Sequence, residues 1–449
     1  MSKAVFTSGS TMRHVLIMTS TSAIGLMSVF FVDAISLYYI SLLNDTAQTA
    51  AVGRSSYVIA FIIGISIGMM IGASVLVARA LGAKNESEAF SYAGTAIIAA
   101  FLLNMIIAII LLILRDPLLD LLNAQGEALR HAQLYLTIIL PTTPFFAVGV
   151  VAMGILRAKG DAKRAMSITL IGGILTASLD PIFIFYFGLE ITGAAIVSAG
   201  VRILFAALGL YYLIGVHDMI RWPSVRRFFA DLKDLLKFTV PAIFTNIASP
   251  FGAFLIAQAI TSYGDAAIAG QAVVDRLIPL AFGVIFALSG AVGPIIGQNA
   301  GAGNMARVRQ TLIDGIKFNL IYVAFAWALL FFGRNLIIDI YSATGDMALM
   351  INLFTTIVAF SFFFNGLLFV TNAAFNNLGH PLWATALNWA RQTIGVLPFI
   401  WVGAYYGDLK GIAWGVAIGS IPFALLAVYM AFGLIKALSR QSEEAKITQ

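Results

Sequence analysis

Apolar runs long enough to cross a bilayer follow one another along almost the whole chain, and they constrain the fold more than any motif does. The stretch 90–114, for example, carries no charged residue, and a spanning helix needs about 20 apolar residues. The runs are continuous rather than alternating every second residue, which excludes a strand-built barrel. Only 11% of the 449 residues are charged, against about 25% in a soluble globular protein. The expectation is an all-α polytopic membrane protein of about twelve transmembrane helices.

Breaks at charged and Gly/Pro-rich segments place helices at 14–41, 50–79, 90–114, 131–157, 163–187 and 192–215, then at 235–262, 267–299, 311–333, 348–377, 382–405 and 411–438. This divides the chain into an N-lobe (1–216), a polar linker (217–237) and a C-lobe (238–449). No small-residue cleavage site precedes the second apolar run, so the first helix is read as retained rather than as a signal peptide. With the N-terminus inside, Lys3, Arg13, Arg79, Lys84, Arg157, Lys159, Lys163 and Arg164 fall on the cytoplasmic side. So do the linker's Arg221, Arg226, Arg227, Lys233 and Lys237, and then Arg307, Arg309, Lys317, Lys436, Arg440 and Lys446. Only Arg115, Arg130, Arg334 and Lys410 fall outside. Positive charge gathers on the inner side of membrane proteins, so both termini are expected in the cytoplasm. The net charge of +6 reflects that bias and gives no reason to invoke nucleic acid.

The two halves match each other at a spacing near 219. Ala78-Arg79-Ala80-Leu81-Gly82-Ala83 aligns with Gly297-Gln298-Asn299-Ala300-Gly301-Ala302, and Leu156-Arg157-Ala158-Lys159-Gly160-Asp161 faces Phe375-Asn376-Asn377-Leu378-Gly379-His380. Six helices per repeat insert both halves with the same orientation. Two pseudo-symmetric six-helix bundles should result, related by an axis along the membrane normal, an arrangement in which binding sites lie between the halves. Glycine recurs every four residues at Gly64, Gly68 and Gly72, and again at Gly411, Gly415 and Gly419, a pattern for close helix contact.

Charge inside a bilayer is costly and therefore informative. Asp33 in the first helix and Asp180 in the fifth lie about 20 and about 17 residues from the inner ends of their helices, which at ~1.5 Å per residue sets them at similar depth. Two poorly solvated carboxylates at one depth make a proton carrier or a monovalent-cation site. Pro181 frees the Ala177 carbonyl, and Thr176 and Ser198 offer further oxygens. The structural alternative pairs each acid with Arg54 or Arg202. Asp275 and Arg276 are adjacent and point to different helix faces, which favours a structural role. Tyr38, Tyr135 and Phe146 offer an apolar and cation–π lining.

Enzymatic chemistry lacks its residues. There is no cysteine, hence no disulfide or thiolate site. His14, His131, His217 and His380 fit no metal-ligand spacing, and neither HExxH nor a Walker A motif is present. No cofactor or metal is expected.

Taken in order, Gly68-x3-Gly72, Ala78-Arg79-x2-Gly82-Ala83, Pro294-x2-Gly297-Gln298-x2-Gly301-Ala302 and the Leu156–Asp161 turn resemble the multidrug and toxic compound extrusion (MATE) family over nearly the whole chain. The resemblance implies cation-coupled antiport of bulky cationic or amphipathic compounds, in a monomer of the bacterial inner membrane. It is nearest to the DinF branch, whose coupling aspartates in helices 1 and 5 match Asp33 and Asp180. The same resemblance places a helix 4 tyrosine at Tyr135 and a helix 6 hydroxyl at Ser198. The NorM branch instead uses a helix 7 glutamate and a helix 10 aspartate, which here align with Ser249 and Asn365. Thr176 and Met153 stand where the branch has asparagines, and helix 1 lacks the proline associated with its bending. These departures favour proton over sodium coupling. The rivals are a sodium-coupled antiporter and a flippase for lipid-linked precursors; the latter would be expected to line its cavity with several basic residues.

Overall fold

A computed structural model of the protein describes residues 4–447 except 44 and 123, and the described residues contain helices and turns but no strand. Among the described residues, eleven continuous helical stretches are long and apolar enough to span a membrane. The first ten are α1 (Thr11–Ser41), α2 (Thr46–Gly82), α3 (Glu86–Ile113), α4 (Gly126–Lys159), α5 (Ala162–Tyr186), α6 (Glu190–Val216), α7 (Val225–Thr261), α8 (Asp265–Gly301), α9 (Met305–Ile340) and α10 (Gly345–Asn377). The last, Pro381–Gln441, is 61 residues long, about three times what one crossing needs. It turns back on itself where Gly407 and Asp408 leave helical φ/ψ, giving α11 (381–406) and α12 (409–441). Twelve crossings result, as the hydropathy pattern predicts, and the protein is an integral membrane protein.

Polar residues start the helices. Ser10, Asp45, Asn85, Asp161, Ser224 and Asn304 each accept a backbone N–H of the first turn, satisfying donors that have no partner inside the helix. At α7 this moves a boundary. The linker expected at 217–237 is non-helical only as far as Ser224, and α7 begins at Val225. The reason is local: Asp231, buried to 2%, is held by Arg227 at 2.8 Å and by Ser91 at 2.6 Å. Phe228, Leu232 and Leu235 meanwhile pack on the core of the first half.

The sequence repeat becomes a spatial two-fold where α2 meets α8. A Cβ on Gly82 would collide with the backbone of Gln298, and one on Gly301 with the backbone of Arg79. These contacts are mates at a spacing of 219, so the crossing is reciprocal, and Gly297 lies against its own mate Ala78. A second pair of matching contacts joins the closing hairpin of each half. Gly193 of α6 abuts Phe183 of α5, and Gly411 of α12 abuts Gly403 of α11. Gly415 and Gly419 continue the α12 seam against Phe399 and Gly395, so this glycine stripe is a close-packing face, as expected. Small residues at such crossings let backbones approach without side chains between them.

The halves also exchange helices: α1 packs on both α5 and α8, and α7 packs on both α2 and α8. Along one face of α2, Gly72 and Gly68 press on Thr239 and Ile243 of α7, whereas Gly64 has nothing within 4 Å. On the same face further along, Phe61 and Tyr57 are 51% and 71% exposed. The halves therefore touch at the end of the bundle that carries both chain termini and diverge towards the other. The termini end is sealed further by the segment before α1. The Gln298 side chain accepts from the Phe6 N–H at 2.9 Å and donates to the Ala158 carbonyl at 2.8 Å. Arg307 donates to the carbonyls of Phe6, Ser8 and Gly9, and Thr11 of α1 donates to Asp314 of α9 at 2.5 Å. Of the basic residues assigned to this end, Lys3 lies outside the described residues.

Candidate functional site

Within the first half, α1, α4, α5 and α6 converge on one polar cluster. Asp180 is fully buried. Its helix cannot continue normally, because Pro181 lacks an N–H, and a π turn follows at Ile182–Tyr186. The hydroxyl of Ser36 on α1 donates to Asp180 Oδ2, while Oδ1 has no hydrogen-bond partner. Asp33 lies three residues before Ser36, hence on the same face of α1, and its side chain retains accessible surface. One carboxylate is thus sealed and the other open.

Tyr135 of α4 is buried nearby, close enough to interact electrostatically with Asp33, Asp180 and Arg202, with Ser198 of α6 beside it. Arg202 follows Ser198 by one turn of α6 and lies 5.2 Å above the ring of Phe146, which itself stacks on Phe205. Arg202 acts on Asp33 through its charge, but no ion pair within 4.0 Å joins it to either aspartate among the described residues, and Arg54 makes none either. The structural alternative of two salt-bridged acids is therefore not what these helices form.

Other sequence candidates lie elsewhere. Thr176 is buried one turn before Asp180 and donates its hydroxyl to the Gly172 carbonyl at 3.0 Å. Met153, expected in the cavity network, is packed in the hydrophobic core with Leu156, Ala152 and Phe205; a flexible thioether there fills space. Tyr38, expected in the lining, is 58% exposed near the end of α1, where its ring meets that of Tyr39. Sequence reasoning did not single out Ser36, although its i+3 spacing from Asp33 was available.

The second half holds a cavity of about 250 Å³ between α7, α8, α10, α11 and α12. Ser249 and Asn365, the positions aligned with another branch's acids, both line it. Neither is acidic, and the charged group present is Arg391, which donates to Asn365 Oδ1. Among the described residues no group of three or more His, Asp or Glu is placed to hold a metal ion.

Outside the membrane segments, the turn between α4 and α5 is fixed by Gly160 at φ 98° and by Asp161. Burial pushes the Asp161 carboxyl up, but hydrogen bonds from Arg164 and His217 outweigh it and hold the group below its usual range. Burial pushes the His217 imidazole down, against the Asp161 hydrogen bond.

The MatE family model matches the chain twice, over residues 22–182 and 241–402, so the second match begins 219 residues after the first. The chain is 25% identical over 93% of its length to the FAD transporter of Shewanella oneidensis, covering 94% of that protein. It is 26% identical to the multidrug export protein MepA of Staphylococcus aureus, over 93% of both chains. Among solved structures, a MOP superfamily transporter from Pyrococcus furiosus superposes with a TM-score of 0.90 at 23% identity, over 98% of this chain and 99% of that one. The bent form of the Vibrio cholerae MATE transporter VcmN superposes with a TM-score of 0.88 at 23% identity, over 95% of this chain and 98% of that one. These two likenesses speak to the fold.

Proposed function

This chain belongs to the MatE family of transporters, and from that premise we propose that it exports cationic and amphipathic small molecules in exchange for protons, by alternating access, through Asp33 and Asp180. The reading draws support from relatives named as multidrug exporters and from one observation above all: a sealed carboxylate with a single hydroxyl donor and no cation within ion-pair distance. Such a group is poorly solvated as an anion, and a proton is the smallest partner that neutralises it. Asp33, with accessible surface, is the entry point, and Tyr135 and Ser198 link it to Asp180. Proton uptake then changes how α1 packs on α5 and α6, and substrate leaves the N-lobe. Coupling confined to this lobe is the DinF-like arrangement.

The same reading places the termini end in the cytoplasm of a bacterial inner membrane, following the basic residues gathered there. The cleft that widens along α2 then opens outward. The transporter acts as a monomer with small-molecule, drug-like substrates, needs no cofactor, and catalyses no covalent chemistry. A second reading, with FAD-like anionic cargo, is favoured by the name of the Shewanella relative.

The test is ethidium efflux from proteoliposomes driven separately by a proton gradient and by a sodium gradient. Proton-driven efflux supports the proposal. Efflux under sodium alone would overturn it and make Thr176, Ser198 and the two aspartates a cation site. Failure under both would shift weight to a lipid-linked precursor flippase.

A further inference from the structure

The second half carries a feature that proton coupling in the first half does not use. Arg391 is buried to 8% exposure on α11 and faces the C-lobe cavity. A guanidinium has five N–H donors in a fixed fork, yet among the described residues its one hydrogen bond is to the neutral Asn365 amide, and its Nε is buried without a partner there. Among the described residues no carboxylate lies within 4.0 Å of it. Asp275 of α8 accepts instead from Gln271 at 2.8 Å, and Asp408 sits at the α11–α12 turn. A buried cation without a counter-ion is costly in a bilayer and marks a functional position.

The backbone around it is also specialised. Both α10 and α11 open into π turns, at Phe354–Val358 and Arg391–Val396, and each turn contributes cavity-lining residues. Single π turns inside α-helices recur at functional sites. The lining also holds four phenylalanines, Phe286, Phe354, Phe362 and Phe369; Phe362 and Phe369 share a face of α10 with Asn365, and Phe354 meets Phe362 edge-on at 6.5 Å. Gln392 and Gln271 add amides to the wall.

We propose that this cavity is an anion-binding subsite, which takes the carboxylate or phosphate of an aromatic amphipathic ligand on Arg391 and its ring among the phenylalanines. Arg is suited to either oxyanion because its fork matches both geometries. The inference rests on the transport reading only for the ligand's being cargo. Binding is read at equilibrium with no gradient, so its failure is distinct from a failure of proton coupling.

The experiment uses the purified full-length protein in nanodiscs, titrated calorimetrically with 1-naphthoate, 1-naphthyl phosphate, neutral 1-naphthol and cationic 1-naphthylmethylammonium. Wild type is expected to bind at least one anion tenfold or more tightly than the ammonium compound, and the tighter anion identifies the group recognised. Arg391→Gln should remove that preference while leaving 1-naphthol affinity within about twofold. Asn365→Asp, which keeps the shape and answers the guanidinium from within the protein, should remove it too. This second variant carries the test if Arg391→Gln does not fold. A wild type without anion preference, or variants whose anion affinity is unchanged, would overturn the proposal.

Discussion

The two halves share a fold and a sequence repeat but differ in the charge they enclose. In the first, Asp33 and Asp180 meet Tyr135, Ser198 and a nearby arginine. In the second, the enclosed charge is Arg391, and the positions that could hold acids are Ser249 and Asn365. Symmetry is strict where backbones cross, at Gly82 and Gly301, and absent where polar side chains face interior space. The scaffold needs equivalent halves to seal against each other, whereas the polar groups the halves enclose differ, two carboxylates in one and a guanidinium in the other.

The largest effect expected from breaking this division falls on the first half. Asp33→Asn and Asp180→Asn should each reduce gradient-driven ethidium efflux at least tenfold while the protein stays folded and inserted, judged by gel filtration. Full activity in both would remove the asymmetry. Ser36→Ala, which takes away the hydroxyl bound to Asp180, should cost about two- to tenfold in the same assay, as a typical intramolecular hydrogen bond is worth about 0.5–1.5 kcal/mol.

The shared scaffold predicts a paired outcome. Gly82→Leu and Gly301→Leu should each destabilise the sealed end by about 1–3 kcal/mol through overpacking, with similar loss of thermal stability in detergent. A large difference between them would mean the crossing is not equivalent on its two sides. Met153→Leu conserves volume in the core and should cost less than about 1.5 kcal/mol, with efflux unchanged.

The smallest effect concerns His217. Burial holds its pKa below the ordinary 6.5, so the unfolded chain binds the proton more readily. Stability therefore rises with pH through the window just below 6.5 and is lost as pH falls through it. The Asp161 carboxyl acts only at lower pH, because its pKa is held below 3.8. The rise in melting temperature from pH 5.5 to pH 8 should be smaller in His217→Gln than in wild type.

Much of the fold was legible in the sequence because spanning helices are written in uninterrupted apolar residues. Helix number, the two-part repeat and the close-packing role of Gly411, Gly415 and Gly419 all follow from spacing. Side-chain direction was less legible. Met153 and Tyr38 were read as lining by helix position and by type, but packing turns one into the core and leaves the other exposed near the end of α1. The start of α7 was hidden because the basic residues of 225–237 read as linker, although buried Asp231 stabilises them as helix. Arg391 was visible as a charge within a helix. Its isolation from any acid was not, since that depends on which helices surround it.

In the proposed exchange, proton uptake by Asp33 and Asp180 expels substrate from the N-lobe, so substrate binding should in turn expel protons. The most direct test is to add ethidium to purified protein in weakly buffered detergent and follow the pH. Wild type should release protons as ethidium binds, and Asp180→Asn should release fewer or none. Proton release of the same size from both proteins would contradict the account.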